Sequence, residues 1–104
     1  MRDVTVIVPT LSRPESLERA LRSLMQQTGV DGRLREIVVA DNDPERSARG
    51  LVERMAGESP VPILWRHAPV PGVATARNTG LAATTASLIA FLDDDEAAVD
   101  FAEA

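Results

Sequence analysis

Four consecutive carboxylates, Asp93-Asp94-Asp95-Glu96, follow directly on an apolar run, Leu88-Ile89-Ala90-Phe91-Leu92. Adjacent like charges repel, and burying one of them uncompensated is expensive. A divalent cation relieves that cost, and hard carboxylate oxygens suit Mg2+ or Mn2+. Such an ion would bridge phosphate oxygens and stabilise a departing diphosphate. The chemistry this stretch invites is a metal held by Asp93 to Asp95 that in turn holds a phosphate-bearing ligand. The competing expectation is that the acids simply open a helix at Glu96-Ala97-Ala98. An acid at a helix N-terminus is worth roughly 0.3–1 kcal/mol.

The acids need elements to position them. The continuous apolar run over 88–92 predicts a parallel strand buried on both faces. Its C-terminal end is where open α/β sheets place their ligands. At the start of the chain, Val4-Thr5-Val6-Ile7-Val8 is β-branched throughout and predicts a first strand, stopped by Pro9-Thr10. Ser12-Arg13-Pro14-Glu15 has the form of a capping box with Ser12 as N-cap. Leu17, Ala20, Leu21, Leu24 and Met25 recur at helical spacing, so a helix is expected to about Gln27, with a loop over 28–32. Glu36-Ile37-Val38-Val39-Ala40 predicts the second strand, which ends in Asp41-Asn42-Asp43-Pro44. Asp43 is the expected N-cap of a second helix with Pro44 at its first position. Ala48, Leu51, Val52 and Met55 form that helix's apolar face, and the stretch from Gly57 to Pro60 ends it.

A third strand is expected over 61–65, and Pro62 suits an edge position. Residues 67–72 read as loop, with His67 solvated and Trp65 packing in the core or on the edge strand. A third helix is expected over 73–86, with Ala76, Leu81 and Ala82 on its buried side. Gly80 weakens it by ~1 kcal/mol relative to Ala, so something should favour Gly there, and Asn78 and Gly80 are expected to allow close helix–loop packing. Residues 96–104 read as the start of a further helix. No internal repeat, low-complexity segment or domain linker interrupts the chain.

The order β-α-β-α-β-α-β implies right-handed crossovers and an α/β fold: a parallel sheet with helices on both faces. Strands one to three stepping outward, with strand four returning beside strand one, give the order 3-2-1-4. A crevice then opens between strands one and four. It is lined by Pro9-Thr10 and by Asp93 to Asp95, with Asp41-Asn42 one strand along. Judged alone, Asp41-Asn42 is a turn pair and Arg77 a surface helix cation.

The 104 residues suit one domain, and a chain this size buries about 65% of its unfolded surface. Hydrophobic content is 44% and charged content 26%, normal for a soluble globular protein. There is no Cys, which excludes disulfides and thiolate metal sites. The apolar run before Pro9 is too short for a signal peptide or membrane span, so the expected location is cytoplasmic. That leaves membrane association of a longer parent open. Net charge is −5, and the eleven basic residues, all Arg, are scattered rather than striped, which argues against nucleic-acid binding. No Gly-x-x-x-x-Gly-Lys-Ser/Thr loop is present and no Gly-x-Gly-x-x-Gly follows strand one, which argues against a P-loop nucleotidase or a dinucleotide oxidoreductase.

Four segments together carry a resemblance. They are Val4-Thr5-Val6-Ile7-Val8-Pro9-Thr10 with the Leu-rich helix ending Gln26-Gln27-Thr28, Glu36-Ile37-Val38-Val39-Ala40-Asp41-Asn42, Gly72 with Ala76-Arg77-Asn78-Thr79-Gly80-Leu81, and Leu88-Ile89-Ala90-Phe91-Leu92-Asp93-Asp94-Asp95-Glu96. In this order and spacing the chain resembles family 2 glycosyltransferases of the GT-A fold over nearly its whole length. The resemblance implies the nucleotide-sugar-binding half of a GT-A (nucleotide-diphospho-sugar transferase) domain. Pro9 and Thr10 would touch the nucleoside, and Asp41 or Asn42 the base or ribose. Arg77 would lie near the nucleotide. Asp93-Asp94-Asp95 would be the Asp-x-Asp motif, with Asp95 the direct metal ligand, Asp93 on ribose or metal-bound water, and Asp94 sharing either role. The implied cofactor is Mg2+ or Mn2+ and the implied partner a nucleotide diphosphate sugar.

Two departures from the family stand out. Asn42-Asp43-Pro44 replaces the usual Asp-Gly-Ser or Asn-Gly/Ala-Ser after Asp41. The family also continues well beyond the Asp-x-Asp motif, where the acceptor site and, in inverting members, the catalytic carboxylate reside. The chain is thus expected to be incomplete for catalysis, with its base in that missing half. A non-catalytic nucleotide-binding module, self-associating through an open sheet edge, is the alternative. A phosphatase would place its Asp-x-Asp after the first strand, and a phosphoacceptor domain needs a Lys that this chain lacks.

Overall fold

The computed structural model describes residues 4–31 and 34–94. Four parallel strands form one sheet: β1 (Val4–Thr10), β2 (Leu34–Asp41), β3 (Ile63–His67) and β4 (Leu88–Phe91). Their order is β3-β2-β1-β4, the one expected with strand four returning beside strand one. Between them run α1 (Pro14–Asp31), α2 (Arg49–Ala56) and α3 (Val73–Ala82). Among the described residues no helix is long and apolar enough to cross a membrane. The anticipated helix over 96–104 lies outside the described residues.

The strand pleat sorts the core into two layers. Val4, Val6 and Val8 of β1 and Ile37 and Val39 of β2 join Leu17, Leu21 and Leu24 of α1 and Leu51, Val52 and Met55 of α2. The alternate β1 residue Ile7 faces the opposite side, where a Cβ built on Gly80 of α3 would run into its side chain. Ala40, Ala68 and Ala76 pack together in a second cluster. Small residues dominate there because α3 lies close against the sheet. The close approach at Gly80 is therefore to strand β1, across the helix–sheet interface, and not to a loop as expected.

Several boundaries differ from expectation, each for a local reason. α1 starts at Pro14, whose fixed φ is preorganised for a first helical position. The Leu17 N–H donates to the Arg13 carbonyl at 2.9 Å, so Arg13 and not Ser12 precedes the helix. Ser12 adopts a left-handed φ of 52° and donates its hydroxyl to Asp43 Oδ2 at 2.8 Å. α1 also runs on to Asp31, because a single Gly29 costs only ~1 kcal/mol relative to Ala.

Asp43 does not cap α2. Its Oδ1 accepts the Glu45 N–H at 2.9 Å and its carbonyl the Arg46 N–H at 2.9 Å, forming a turn that ends at Arg46, φ 57°. α2 begins only at Arg49, with no side-chain cap. β3 lies two residues later than expected and leaves Pro62 before the strand, where its carbonyl accepts the Ile37 N–H. It is an edge strand, as the proline suggests. α3 stops at Ala82, and Thr84 Oγ1 then accepts the Ala86 N–H as the chain turns toward β4. The α3 residues that are buried are Ala76 and Gly80. Leu81 is 43% exposed, and Ala82 is exposed as well, because the narrow Ala76–Gly80 face is the one that meets the sheet.

β4 departs most from its reading. It is not covered on both faces: Leu88 and Phe91 are 45% and 41% exposed. Among the described residues β4 pairs with β1 alone, so its continuous apolar sequence belongs to an edge strand with one side open.

Candidate functional site

The C-terminal ends of β1 and β4 lie side by side, and β2 ends beside β1. This is the point where the sheet order reverses, and a cavity of about 360 Å³ opens there. Its walls come from four places. Pro9 and Thr10 end β1, Leu11 and Arg13 follow it, and Asn42 follows β2. Gly72, Val73 and Ala76 belong to the first turns of α3 and its approach, and Asp93 and Asp94 follow β4. The volume falls in the range of small-molecule sites, about 300–1,000 Å³.

The two described acids of the motif are unlike. Asp94 is 7% exposed. Its Oδ2 accepts the Thr10 hydroxyl at 2.9 Å, and its Oδ1 lies 3.6 Å from the Arg13 guanidinium. A buried carboxylate needs such partners to offset its desolvation. Asp94 thus staples the end of β4 to the loop after β1. Asp93 is exposed and lines the cavity. Asp95, the anticipated direct metal ligand, lies outside the described residues, and among the described residues no group of three metal-binding side chains is assembled.

Asp41 and Asn42 part ways. Asp41 is completely buried and does not line the cavity. Its carboxylate accepts the Asp43 N–H, the Ala48 N–H and Trp65 Nε1–H, each at 3.0 Å. It organises the turn into α2 and anchors the edge-strand indole. Asn42 is the member of the pair that reaches the cavity wall. Its amide Nδ2 donates to the carbonyls of Ala68 and Val70, at 2.7 and 2.9 Å, and its Oδ1 accepts the Gly72 N–H at 3.0 Å.

Arg77 is not part of the cavity lining. Its guanidinium sits 5.1 Å from the Phe91 ring centroid, a cation–π contact over β4. The cation that does line the cavity is Arg13, which the sequence reading did not single out. The signal was present: only residues 11–13 separate β1 from α1, so Arg13 cannot lie far from the strand end. His67, expected to be solvated, ends β3. Its ring stacks on Trp65 at a centroid distance of 6.0 Å, and Nε2 lies 3.0 Å from the Asp43 carbonyl. A carbonyl only accepts, so Nε2 carries the proton. Arg49 covers the same indole from α2, 5.3 Å from its centroid.

A family model described as glycosyl transferase family 2 matches residues 5–100. The succinoglycan biosynthesis protein ExoM of Rhizobium meliloti is 43% identical over 93 residues, covering 89% of this chain and 30% of that protein. The pre-mycofactocin glycosyltransferase of Mycobacterium tuberculosis is 38% identical over 96 residues, 90% of this chain and 18% of its own length. Among solved structures, the mannosyltransferase PcManGT from Pyrobaculum calidifontis, in complex with GDP-Man and Mn2+, superposes with a TM-score of 0.73 at 32% identity. The match covers 91% of this chain and 28% of that one. TarS of S. aureus, 24% identical with a TM-score of 0.66, shares the fold. The chain spans less than a third of each of these proteins. Its sheet and helices correspond to part of a GT-A fold.

Proposed function

The chain belongs to glycosyl transferase family 2, and from that premise we propose that it forms the donor-binding half of a GT-A domain, holding the nucleotide diphosphate of a nucleotide sugar in the cavity between β1 and β4. The parent would transfer the sugar to an acceptor bound elsewhere, with its catalytic base also outside this chain. The observation that carries the proposal is the convergence of three strand ends and the start of α3 on one cavity with Asp93, Asp94 and Arg13 in its walls. The neighbour that binds GDP-Man and Mn2+ supports it.

The residues fit a divalent ion. The described acids offer only hard oxygen donors, which suit Mg2+ or Mn2+. Asp93, which lines the cavity, and Asp95 are the members of the Asp-x-Asp motif that would hold the metal, while Asp94 bonds Thr10 and Arg13. When bound, the ion would neutralise charge on a departing diphosphate. The protein's own groups act around it. Arg13 would face the phosphates in the role first expected of Arg77. The uncapped first turn of α3 adds the partial positive charge of a helix N-terminus at Gly72 and Val73. Pro9, Thr10, Leu11 and Asn42 would form the nucleoside wall.

Calorimetric titration of the chain with GDP and UDP, with and without Mn2+, tests the proposal. Metal-dependent binding that disappears in Asp93→Ala is expected. Arg13→Ala should weaken it roughly 10–100-fold, the worth of a charged hydrogen bond, while Arg77→Ala leaves it unchanged. No binding under any condition would refute the donor-site assignment. It would favour the second reading, a non-catalytic module that self-associates, for which the observation is the β4 edge, unpaired on one side among the described residues, with Leu88 and Phe91 exposed on that strand.

A further inference from the structure

We infer that Asn42 is a positioning residue: its amide latches the strap over residues 68–72 and thereby sets the start of α3 as a wall of the cavity, without reading the ligand's base itself.

The strap is Ala68-Pro69-Val70-Pro71-Gly72. Its two prolines carry no N–H and hold their own φ near −65°. They also push Ala68 and Val70 toward extended conformations. The segment is stiff but poor in donors, so it cannot join the sheet by a regular ladder. Its connection to the sheet runs through the end of β2. The Ala68 N–H donates to the Asp41 carbonyl at 2.8 Å. Asn42 supplies the rest: two donated bonds to the carbonyls of Ala68 and Val70 and one accepted from the Gly72 N–H.

Partner chemistry settles the orientation of the amide. The two carbonyls accept only and the Gly72 N–H donates only, so Nδ2 must face the carbonyls and Oδ1 the glycine. Both amide hydrogens and one lone pair of Oδ1 are thus committed. Meanwhile the Asn42 backbone N–H donates to the Thr10 carbonyl at 2.9 Å. One residue therefore ties together the end of β1, the strap and the first residue before α3. Gly72, held at the far end of the latch, has φ 125° and ψ 145°, a conformation open to glycine. Asp at position 42 could not replace Asn: it would keep the acceptor for Gly72 but turn a charge on two carbonyl oxygens.

The ligand part of this inference rests on the donor-site proposal, so its test has two arms. Amide hydrogen exchange, followed by NMR on the unaltered chain and on Asn42→Ala, reads the latch directly. Exchange at Gly72 should accelerate about tenfold, while the amides of Ile7, Val38 and Val39 stay protected and show the sheet intact. Unchanged exchange at Gly72 overturns the latch. Calorimetry with GDP and UDP in Mn2+ reads its consequence. Asn42→Ala should weaken both nucleotides by the same factor, about tenfold, and Asn42→Asp by at least as much. A loss confined to one nucleotide, or affinity retained in Asn42→Asp, would overturn positioning in favour of a base contact through the acceptor oxygen. If the unaltered chain binds neither nucleotide, the donor-site proposal fails; Gly72 exchange still decides the latch, upholding it if faster and overturning it if unchanged.

Discussion

Gly80→Ala probes the helix–sheet contact that fixes α3, and with it the Gly72–Ala76 wall of the cavity. Helix propensity alone would make this substitution favourable by about 1 kcal/mol. The structure reverses the sign. A Cβ at position 80 would lie 3.1 Å from both Cγ1 and Cδ1 of Ile7 and closer still to Cγ2. Ile7 is fully buried in β1, which has a neighbour on either side. Cγ2 sits on the branched carbon itself, where rotation is stiff. It cannot swing aside as the end of a long side chain would. Overpacking of this kind costs typically about 1–3 kcal/mol, and three short contacts put Gly80→Ala at the upper end. Subtracting the propensity gain leaves a net loss of about 2 kcal/mol. For a domain near 100 residues that lowers Tm by roughly 8–16 °C. Thermal unfolding followed by circular dichroism measures it. Gly50→Ala is the control: nothing lies within 4 Å of a Cβ there, so a gain of up to about 1 kcal/mol is expected. Ile7→Ala is expected to make the Gly80→Ala change less costly than it is alone. A higher Tm for Gly80→Ala would show that α3 does not press on β1, and the account of its small-residue face would fail.

Three further outcomes follow from named contacts. Thr10→Val, nearly isosteric, removes the hydroxyl that Asp94 accepts and should cost about 1.5–3 kcal/mol in a urea melt; no change would mean the staple between β1 and β4 carries no weight. Asp41→Asn replaces one of the two accepting oxygens, which take the Asp43 N–H on one side and the Ala48 N–H and Trp65 Nε1–H on the other, by an NH2 that cannot accept. It should cost about 1–3 kcal/mol, with a shift in Trp65 fluorescence that a remote destabilisation would not produce. Hydrogen bonds from the Ser47 hydroxyl, the Glu45 N–H and the Ser12 hydroxyl hold the Asp43 carboxyl below its usual range. The stability this contributes is complete above the unfolded Asp value of about 4 and is lost as pH falls through the lower folded value. Asp43→Asn should therefore flatten the acid limb of Tm against pH, and an unaltered acid limb would count against the assignment.

Much of the fold was legible because its signals are local. β-branched and apolar runs marked the four strands, helical spacing marked α1 and α2, and Pro62 marked an edge. Alternation of the two element types implied a parallel sheet with right-handed crossovers, and setting strand four beside strand one gave the order β3-β2-β1-β4. The motif at Asp93 and Asp94 and the strand end at Pro9 and Thr10 were legible for the same reason: strand ends in such a sheet face one crevice. Element ends were less so. Ser12 and Asp43 look like helix caps by spacing, yet they bond to each other across the loops after β1 and β2, and a partner 31 residues away leaves no trace in local spacing.

By itself, then, the sequence determined the element types, their parallel pairing and the acidic end of β4, since each depends on periodicity or on the chemistry of neighbouring residues. Tertiary structure alone decided how the polar groups are shared. Asp41 is consumed by three donors, Asn42 by the strap, and Asp94 by Thr10 and Arg13, while Arg77 rests on Phe91. A carboxylate or amide takes whichever partners the packed chain brings within about 3 Å. That choice is made by the assembled sheet and helices, and it separates the residues that hold the cavity together from those that line it.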